Sequence, residues 1–212
     1  MKKNKISKNW IKKQRNDIYV RLSKVEGYRS RAVYKLQDID KKFKILKNGI
    51  SIIDIGAAPG SWSQYLSRNF KNTKILSIDL LDMEKIENTF HIKGDFTESE
   101  CRERIKGYFD DKVDVVLCDM AANTTGNKNI DSIVTGELCV DAMNFAQETL
   151  KANGQFVSKI FMGSTFTEIL NIAKKTFKET KTFKPSASRK ESKESFIICK
   201  FLRDEVKKSH EI

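Results

Sequence analysis

The sequence predicts an α/β fold built on a seven-stranded, mostly parallel sheet with helices on both faces and one antiparallel edge strand. Three observations carry that expectation. Short apolar runs alternate with stretches of helical periodicity from residue 30 onward. No internal repeat or Pro/Gly-rich linker interrupts the alternation. The last two apolar runs are joined by a loop that holds no long helix, so they should form an antiparallel hairpin at the sheet edge.

Taken in order, residues 1–48 precede the first strand and should supply helices packed on the core. A basic arm covers residues 1–28, and residues 29–212 form a single domain. Strands are expected at 51–54, 74–79, 89–93, 113–119, 154–161, 176–183 and 195–201, with helices in the gaps. Thr97-Glu98-Ser99-Glu100 announces one helix, as a capping box in which Thr97 holds the first turn. Another is marked by Ile133, Val134, Leu138, Ala142, Phe145, Ala146 and Leu150, three to four residues apart.

Composition excludes several classes. Hydrophobic residues make up 39% of the 212, and no run approaches the roughly 18 to 20 apolar residues of a membrane span. The basic start lacks an apolar segment and a cleavage site, so a cytoplasmic protein without a cleaved signal is expected. Cys101, Cys118, Cys139 and Cys199 are far apart, with only His91 and His210 to join them, which argues against a metal site and for buried thiols in a reducing compartment.

The net charge of +12 sits at the front. Residues 1–35 hold 12 Lys and Arg against Asp17 and Glu26, a surplus of ten, whereas residues 36–212 hold 28 basic against 26 acidic. Such an arm suits a polyanion, because each neutralised phosphate releases counterions; a solvated Lys-rich tail is the alternative. Arg29, Arg31 and residues 174–193 are further candidate RNA contacts.

The sharpest local pattern is Ile52-Ile53-Asp54-Ile55-Gly56-Ala57-Ala58-Pro59-Gly60-Ser61-Trp62, a buried strand running through a small-residue turn into a helix. Such a turn admits a ligand against the backbone. Ala58 and Pro59 break the dinucleotide fingerprint, so an adenosyl cofactor fits better than a nicotinamide one. Asp79, at the end of the second strand, is placed to accept bonds from ribose hydroxyls, and Asp95, after the third, to recognise an adenine amino group; a loop turn or helix cap is the lesser alternative for each alone. Asp54 either orients the loop or touches cofactor.

Asp119 closes the fourth strand, where parallel sheets bind ligands. Lys159 lies inside the next apolar strand, where a lysine is costly unless paired or functional. Lys35, in Ser30-Arg31-Ala32-Val33-Tyr34-Lys35, and Glu194, in a polar loop, read individually as solvated charges. Together with the turn from Gly56 to Trp62, the stretch Tyr28-Arg29-Ser30-Arg31-Ala32 and the pair Asp119-Met120, they make the chain resemble the FtsJ/RrmJ family of ribosomal RNA 2′-O-methyltransferases from about residue 17 to residue 202.

That resemblance implies a Rossmann-like fold, S-adenosyl-L-methionine as cofactor, no metal, and a monomer that methylates a uridine ribose in large-subunit ribosomal RNA on the assembled subunit. It implies a catalytic set of Lys35, Asp119, Lys159 and Glu194, and cofactor contacts at Gly60, Trp62, Asp79, Asp95 and Asp119. Lys159 would be the proton acceptor, its neutral form favoured by partial burial, the sulfonium and Lys35. Asp119 would position it, and Lys35 and Glu194 would orient the ribose. Ala122 departs from the family, which has proline there. The same reaction on tRNA or an mRNA cap, and a non-catalytic RNA-binding assembly protein, are the alternatives.

Overall fold

The strands form one sheet in the order β3-β2-β1-β4-β5-β7-β6 in a computed structural model that describes residues 16–120 and 128–203. The strands are β1 (Ser51–Ile55), β2 (Lys74–Asp79), β3 (Thr89–Lys93), β4 (Val113–Cys118), β5 (Leu150–Phe161), β6 (Phe177–Phe183) and β7 (Glu194–Leu202). Between and before them lie α1 (Ile18–Val25), α2 (Val33–Phe43), α3 (Ser61–Asn69), α4 (Ser99–Tyr108), α5 (Lys128–Thr149) and α6 (Phe166–Thr176). Pairings from β3 through β5 are parallel.

Antiparallel pairing is confined to the far end of the sheet, as expected there. The strand that runs against the others is β7, which pairs with both β5 and β6, and β6 is outermost. After β5, α6 carries the chain past one strand position, and the return through residues 184–193 fills the gap. Side chains agree with this order. Phe196-Ile197-Ile198-Cys199 is buried throughout, as an interior strand requires, while β6 exposes Lys178, Glu179 and Lys181, charges that protect an edge.

Alternating residues divide the sheet between two apolar layers. Ile53, Leu76, Val116 and Phe156 face α5 through Met143 and Phe145, whereas Ile52, Ile75, Val115 and Val157 face α2 and α3 through Leu36, Ile39 and Leu66.

Two local expectations fail for identifiable reasons. The capping box does not form: Glu98 is the N-cap of α4, and the Thr97 hydroxyl donates instead to Asp95 Oδ1 at 2.7 Å, which also accepts the Thr97 backbone N–H at 2.9 Å. Leu150, read as helical, begins β5 opposite Val113. At the front of α5 the inward face is Ser132, Thr135 and Gly136, and Ile133 is 40% exposed. Only small side chains fit there. A Cβ on Gly163 would fall 2.0 Å from Ser132 Oγ, and one on Gly136 would fall 2.7 Å from Thr165 Oγ1.

Of the arm, residues 1–15 lie outside the described residues. Asp17 caps α1 by accepting the Tyr19 N–H at 3.1 Å, and its other oxygen meets Arg31 at 2.9 Å and Arg189 at 3.5 Å. The Tyr19 and Tyr28 rings then pack on Tyr34 of α2.

The junction of β1 and α3 rests on Asp54. Its buried carboxylate accepts the Ser63 hydroxyl at 2.7 Å and the Ser63 backbone N–H, so it holds the start of α3. Burial pushes this carboxyl up to about 7, against the two Ser63 bonds and with help from Asp119 and Asp79. A folded value above the ordinary 3.8 means that the native state binds more protons across that window, so stability falls as pH rises through it. Asp54→Asn removes the titration. In chemical denaturation between about pH 5 and about pH 8, the wild type should lose stability relative to the variant as pH rises. A constant difference would show that Asp54 does not titrate in this way.

Candidate active site

The carboxyl ends of β1 to β5 open into a cavity of about 640 Å³, lined among others by Gly56, Asp79, Asp95, Asp119 and Lys159. Its floor is the turn after β1. Gly56 has φ +71°, and a Cβ there would fall 2.3 Å from Met120 Cγ, so the turn tolerates no side chain at this point. Asp79 fastens the turn, its Oδ2 accepting the Ala58 N–H at 2.9 Å while Oδ1 accepts the Leu81 N–H at 2.8 Å. Asp95 uses Oδ1 in its own turn with Thr97, and no bond from a described residue reaches its Oδ2.

Gly60 and Trp62 do not line that cavity. Gly60, with φ +102°, backs onto protein: a Cβ would meet Ile86 Cδ1 at 2.7 Å and Arg29 Nη1 at 2.8 Å. The Trp62 indole N–H donates to the Ala32 carbonyl at 2.8 Å, and its ring packs at 5.9 Å from Phe196. What Trp62 can offer a ligand is its backbone N–H at the first turn of α3, the positive end of the helix dipole, whereas the Gly60 N–H and carbonyl are taken by Ala57 and Gln64.

At one end of the cavity four charged side chains meet. Lys35 Nζ lies 2.8 Å from Glu194 Oε2 and 3.5 Å from each oxygen of Asp119. Lys159 Nζ donates to the Asp119 backbone carbonyl at 2.7 Å and lies 3.1 Å from Asp119 Oδ1. Each comes from a different element: Lys35 from the first turns of α2, Asp119 from just past β4, Lys159 from β5, and Glu194 from the start of β7. Register brings the last two close, because Glu194 pairs with Phe161 and Phe196 with Lys159. Sequence separations of up to 159 residues are closed by the sheet.

The electrostatics are asymmetric. Burial works against the charge on Lys35, but Asp119 and then Glu194 outweigh it and raise its affinity for the proton above that of an ordinary lysine. Burial likewise opposes the Asp119 carboxylate, and Lys159 and Lys35 overcome that, holding the carboxyl below its usual range. Lys35 faces three carboxylate oxygens, matching the three N–H bonds of an ammonium. Lys159 has two acceptors, the backbone carbonyl and one carboxylate oxygen of Asp119.

Sequence reasoning missed Ser188, whose hydroxyl donates to Glu194 Oε1 at 2.7 Å and leaves Oε2 for Lys35. It sits in a polar turn without periodicity, so nothing marks it. Arg29 and Arg31, candidate RNA contacts should the arm be a solvated tail, have side chains 18% and 17% exposed. Arg29 is bound to backbone carbonyls, and Arg31 to Asp17 and the Ala187 carbonyl. The Ala122 departure lies outside the described residues.

The sequence pattern of the FtsJ-like methyltransferases matches residues 28–202. The ribosomal RNA large subunit methyltransferase E of Pelagibacter ubique is 66% identical over 203 residues, covering 96% of this chain and all of that one. The protein of the same description from Rickettsia akari is 46% identical, over 91% of this chain and 88% of its own. Among solved structures, a ribosomal RNA methyltransferase from Plasmodium falciparum superposes with a TM-score of 0.74 at 31% identity, over 82% of this chain and 98% of that one. With a cavity at the strand ends, a buried Lys-Asp-Lys-Glu cluster beside it and relatives matched over nearly their full length, this chain belongs to the FtsJ-like methyltransferase family.

Proposed function

We propose that the chain methylates the 2′-hydroxyl of a ribose, a uridine, in large-subunit ribosomal RNA on the assembled subunit, acting in the cytoplasm with S-adenosylmethionine as donor. The observation that carries this reading is Lys159, a lysine at a buried strand end whose two acceptors both belong to Asp119. The names of the Pelagibacter and Rickettsia relatives support ribosomal RNA as substrate.

The cavity fits the donor chemically. Asp79 and Asp95 stand along one wall with carboxylate lone pairs for ribose hydroxyls and an adenine amino group, and Asp119 and Lys159 stand at the far end. Trp62 would add a backbone N–H group at the start of α3, and Gly60, whose own N–H is given to the Ala57 carbonyl at 2.6 Å, would shape the turn beside it. When bound, S-adenosylmethionine supplies a methyl group on a positively charged sulfur.

The chain's own part is proton removal and alignment. Lys159 Nζ would take the proton of the ribose 2′-hydroxyl as that oxygen receives the methyl group, the methyl–sulfur bond breaking and the donor leaving as a neutral thioether. Asp119 holds both N–H bonds of the neutral amine and so aims its lone pair. Lys35 remains a cation and, with Glu194, orients the ribose. Such general-base help is worth about 10² to 10⁴ in rate, and in-line alignment adds to it. With Lys159 neutral, the four side chains carry one net negative charge, which the sulfonium balances.

Lys159→Ala should therefore lose nearly all methyl transfer while keeping cofactor affinity within a few-fold. Asp79→Ala should do the opposite first, weakening cofactor binding by about 1 to 3 kcal/mol. Calorimetry and single-turnover kinetics separate the two, and retained turnover in Lys159→Ala would remove it as the base.

We assign the basic arm over residues 1–28 to RNA docking; its described part packs on the methyltransferase domain over 29–212 through Asp17, Tyr19 and Tyr28. Deleting residues 1–15 removes seven Lys and Arg. Cofactor affinity should persist, RNA affinity should fall, and the slope of log affinity against log salt should shrink by about 0.7 to 0.9 per lost phosphate contact. Unchanged affinity and slope would make the arm a solvated tail.

The whole reading is tested by incubating the protein and methyl-labelled donor with isolated large subunits, naked ribosomal RNA and tRNA, then mapping the label. Label on a uridine 2′-oxygen of the subunit, leaving the next phosphodiester resistant to alkali, is expected. Label on a base, or on tRNA alone, would overturn it.

A further inference from the structure

Arg29 belongs to the basic front of the chain, yet its side chain turns inward. Nη1 donates to the carbonyl of Pro59 at 2.9 Å and to that of Glu84 at 2.9 Å, and Nη2 donates to the carbonyl of Lys85 at 3.1 Å. Those carbonyls belong to two different loops. Pro59 is in the turn after β1, and Glu84 and Lys85 are in residues 80–88, which connect β2 to β3 without helix or strand. Both loops wall the cavity, through Ala58 on one side and Leu80 and Leu81 on the other.

A groove of about 510 Å³ separates the two loops and is lined by Ala58 and Pro59 across from Leu81, Met83 and Glu84, with Arg29 between. The guanidinium spans this groove. Its fit is close, since a Cβ on Gly60 would come within 2.8 Å of Nη1 and displace the guanidinium. The base of the clasp is also fixed. The Arg29 backbone N–H donates to Gln64 Oε1 at 3.0 Å, and Gln64 Nε2 donates back to the Gly27 carbonyl at 2.9 Å, which ties the segment to α3. In the outer loop Leu80 and Leu81 are each 66% exposed, and its buried anchor is Ile86 near the far end, so Arg29 holds the stretch between them.

We propose that Arg29 is a positioning residue for the donor, holding the β1 turn and the β2–β3 loop at the spacing that S-adenosylmethionine requires. It acts through those loops and does not contact RNA. Three carbonyls in two loops call for a planar fork of donors; a lysine ammonium is a single point and cannot span them. The same segment runs on through the Ser30 hydroxyl, 2.7 Å from that of Ser61, to Lys35 in the cluster.

This inference rests on the donor assignment, so the test begins with the wild type. Calorimetry with S-adenosylmethionine alone should show binding; no binding would fail the proposed function itself. Given binding, Arg29→Lys and Arg29→Ala should each raise the dissociation constant and KM for the donor about tenfold, a change of ~1.4 kcal/mol. At saturating donor, kcat should stay within about threefold, and RNA affinity within about twofold. Arg29→Lys keeps charge and bulk, so it remains informative if the alanine variant folds poorly. Unchanged donor affinity in Arg29→Lys would overturn the proposal. So would a fall in RNA affinity at constant donor affinity, which identifies a phosphate contact, or a lower kcat and melting temperature at constant KM, which identifies a purely structural role.

Discussion

Two lysines and two carboxylates packed together under little solvent can persist only if their charges and hydrogen bonds balance, and Asp119 is where they balance. Removing two ammonium groups from water costs several kcal/mol each unless each finds well-placed acceptors. Asp119 serves both, with its side chain toward Lys35 and Lys159 and its backbone carbonyl toward Lys159. Ser188 and Glu194 complete the Lys35 side. With both lysines charged the cluster is neutral, which is what lets four ionic groups share so little solvent.

The rest of the fold serves that point. Parallel strands bring Asp79, Asp95, Asp119 and Lys159 to one end of the sheet, while the inserted antiparallel strand returns Glu194 to the same end by starting there rather than finishing there. The helical layer contributes Lys35 because α2 is docked by Leu36 and Ile39 against the face that holds Val157 and Phe196. Asp54 works beneath the site without entering it, fixing the start of α3 and hence the turn that Asp79 and Arg29 hold from either side.

Much of this was legible in the sequence because sheet burial and strand-end polarity leave strong marks. Apolar runs closed by an acid located β2 and β4, and the buried lysine in Gln155-Phe156-Val157-Ser158-Lys159 is conspicuous against its neighbours. Lys35 and Glu194 were not readable from the residues alone. Both lie in locally polar surroundings, and the resemblance to the family supplied their grouping. The insertion of β7 between β5 and β6 was written in the contrast between the apolar run Phe196-Ile197-Ile198-Cys199 and the charged β6, a distinction that alternation of elements does not use. Features set by tertiary competition left no mark. Thr97 looked like a cap until Asp95 took its hydroxyl, and Arg29 looked like an RNA contact until three carbonyls took its donors.

Whether the four side chains act as one unit is the central question, and a double-mutant cycle on Lys35 and Glu194, 2.8 Å apart, addresses it most directly. Single-turnover methyl-transfer rates at saturating donor would be compared for Lys35→Gln, Glu194→Gln and the double variant. If the cluster is a single charge-balanced unit, the double variant will be no slower than the slower single one. Losses that multiply would show two residues acting independently and contradict the account.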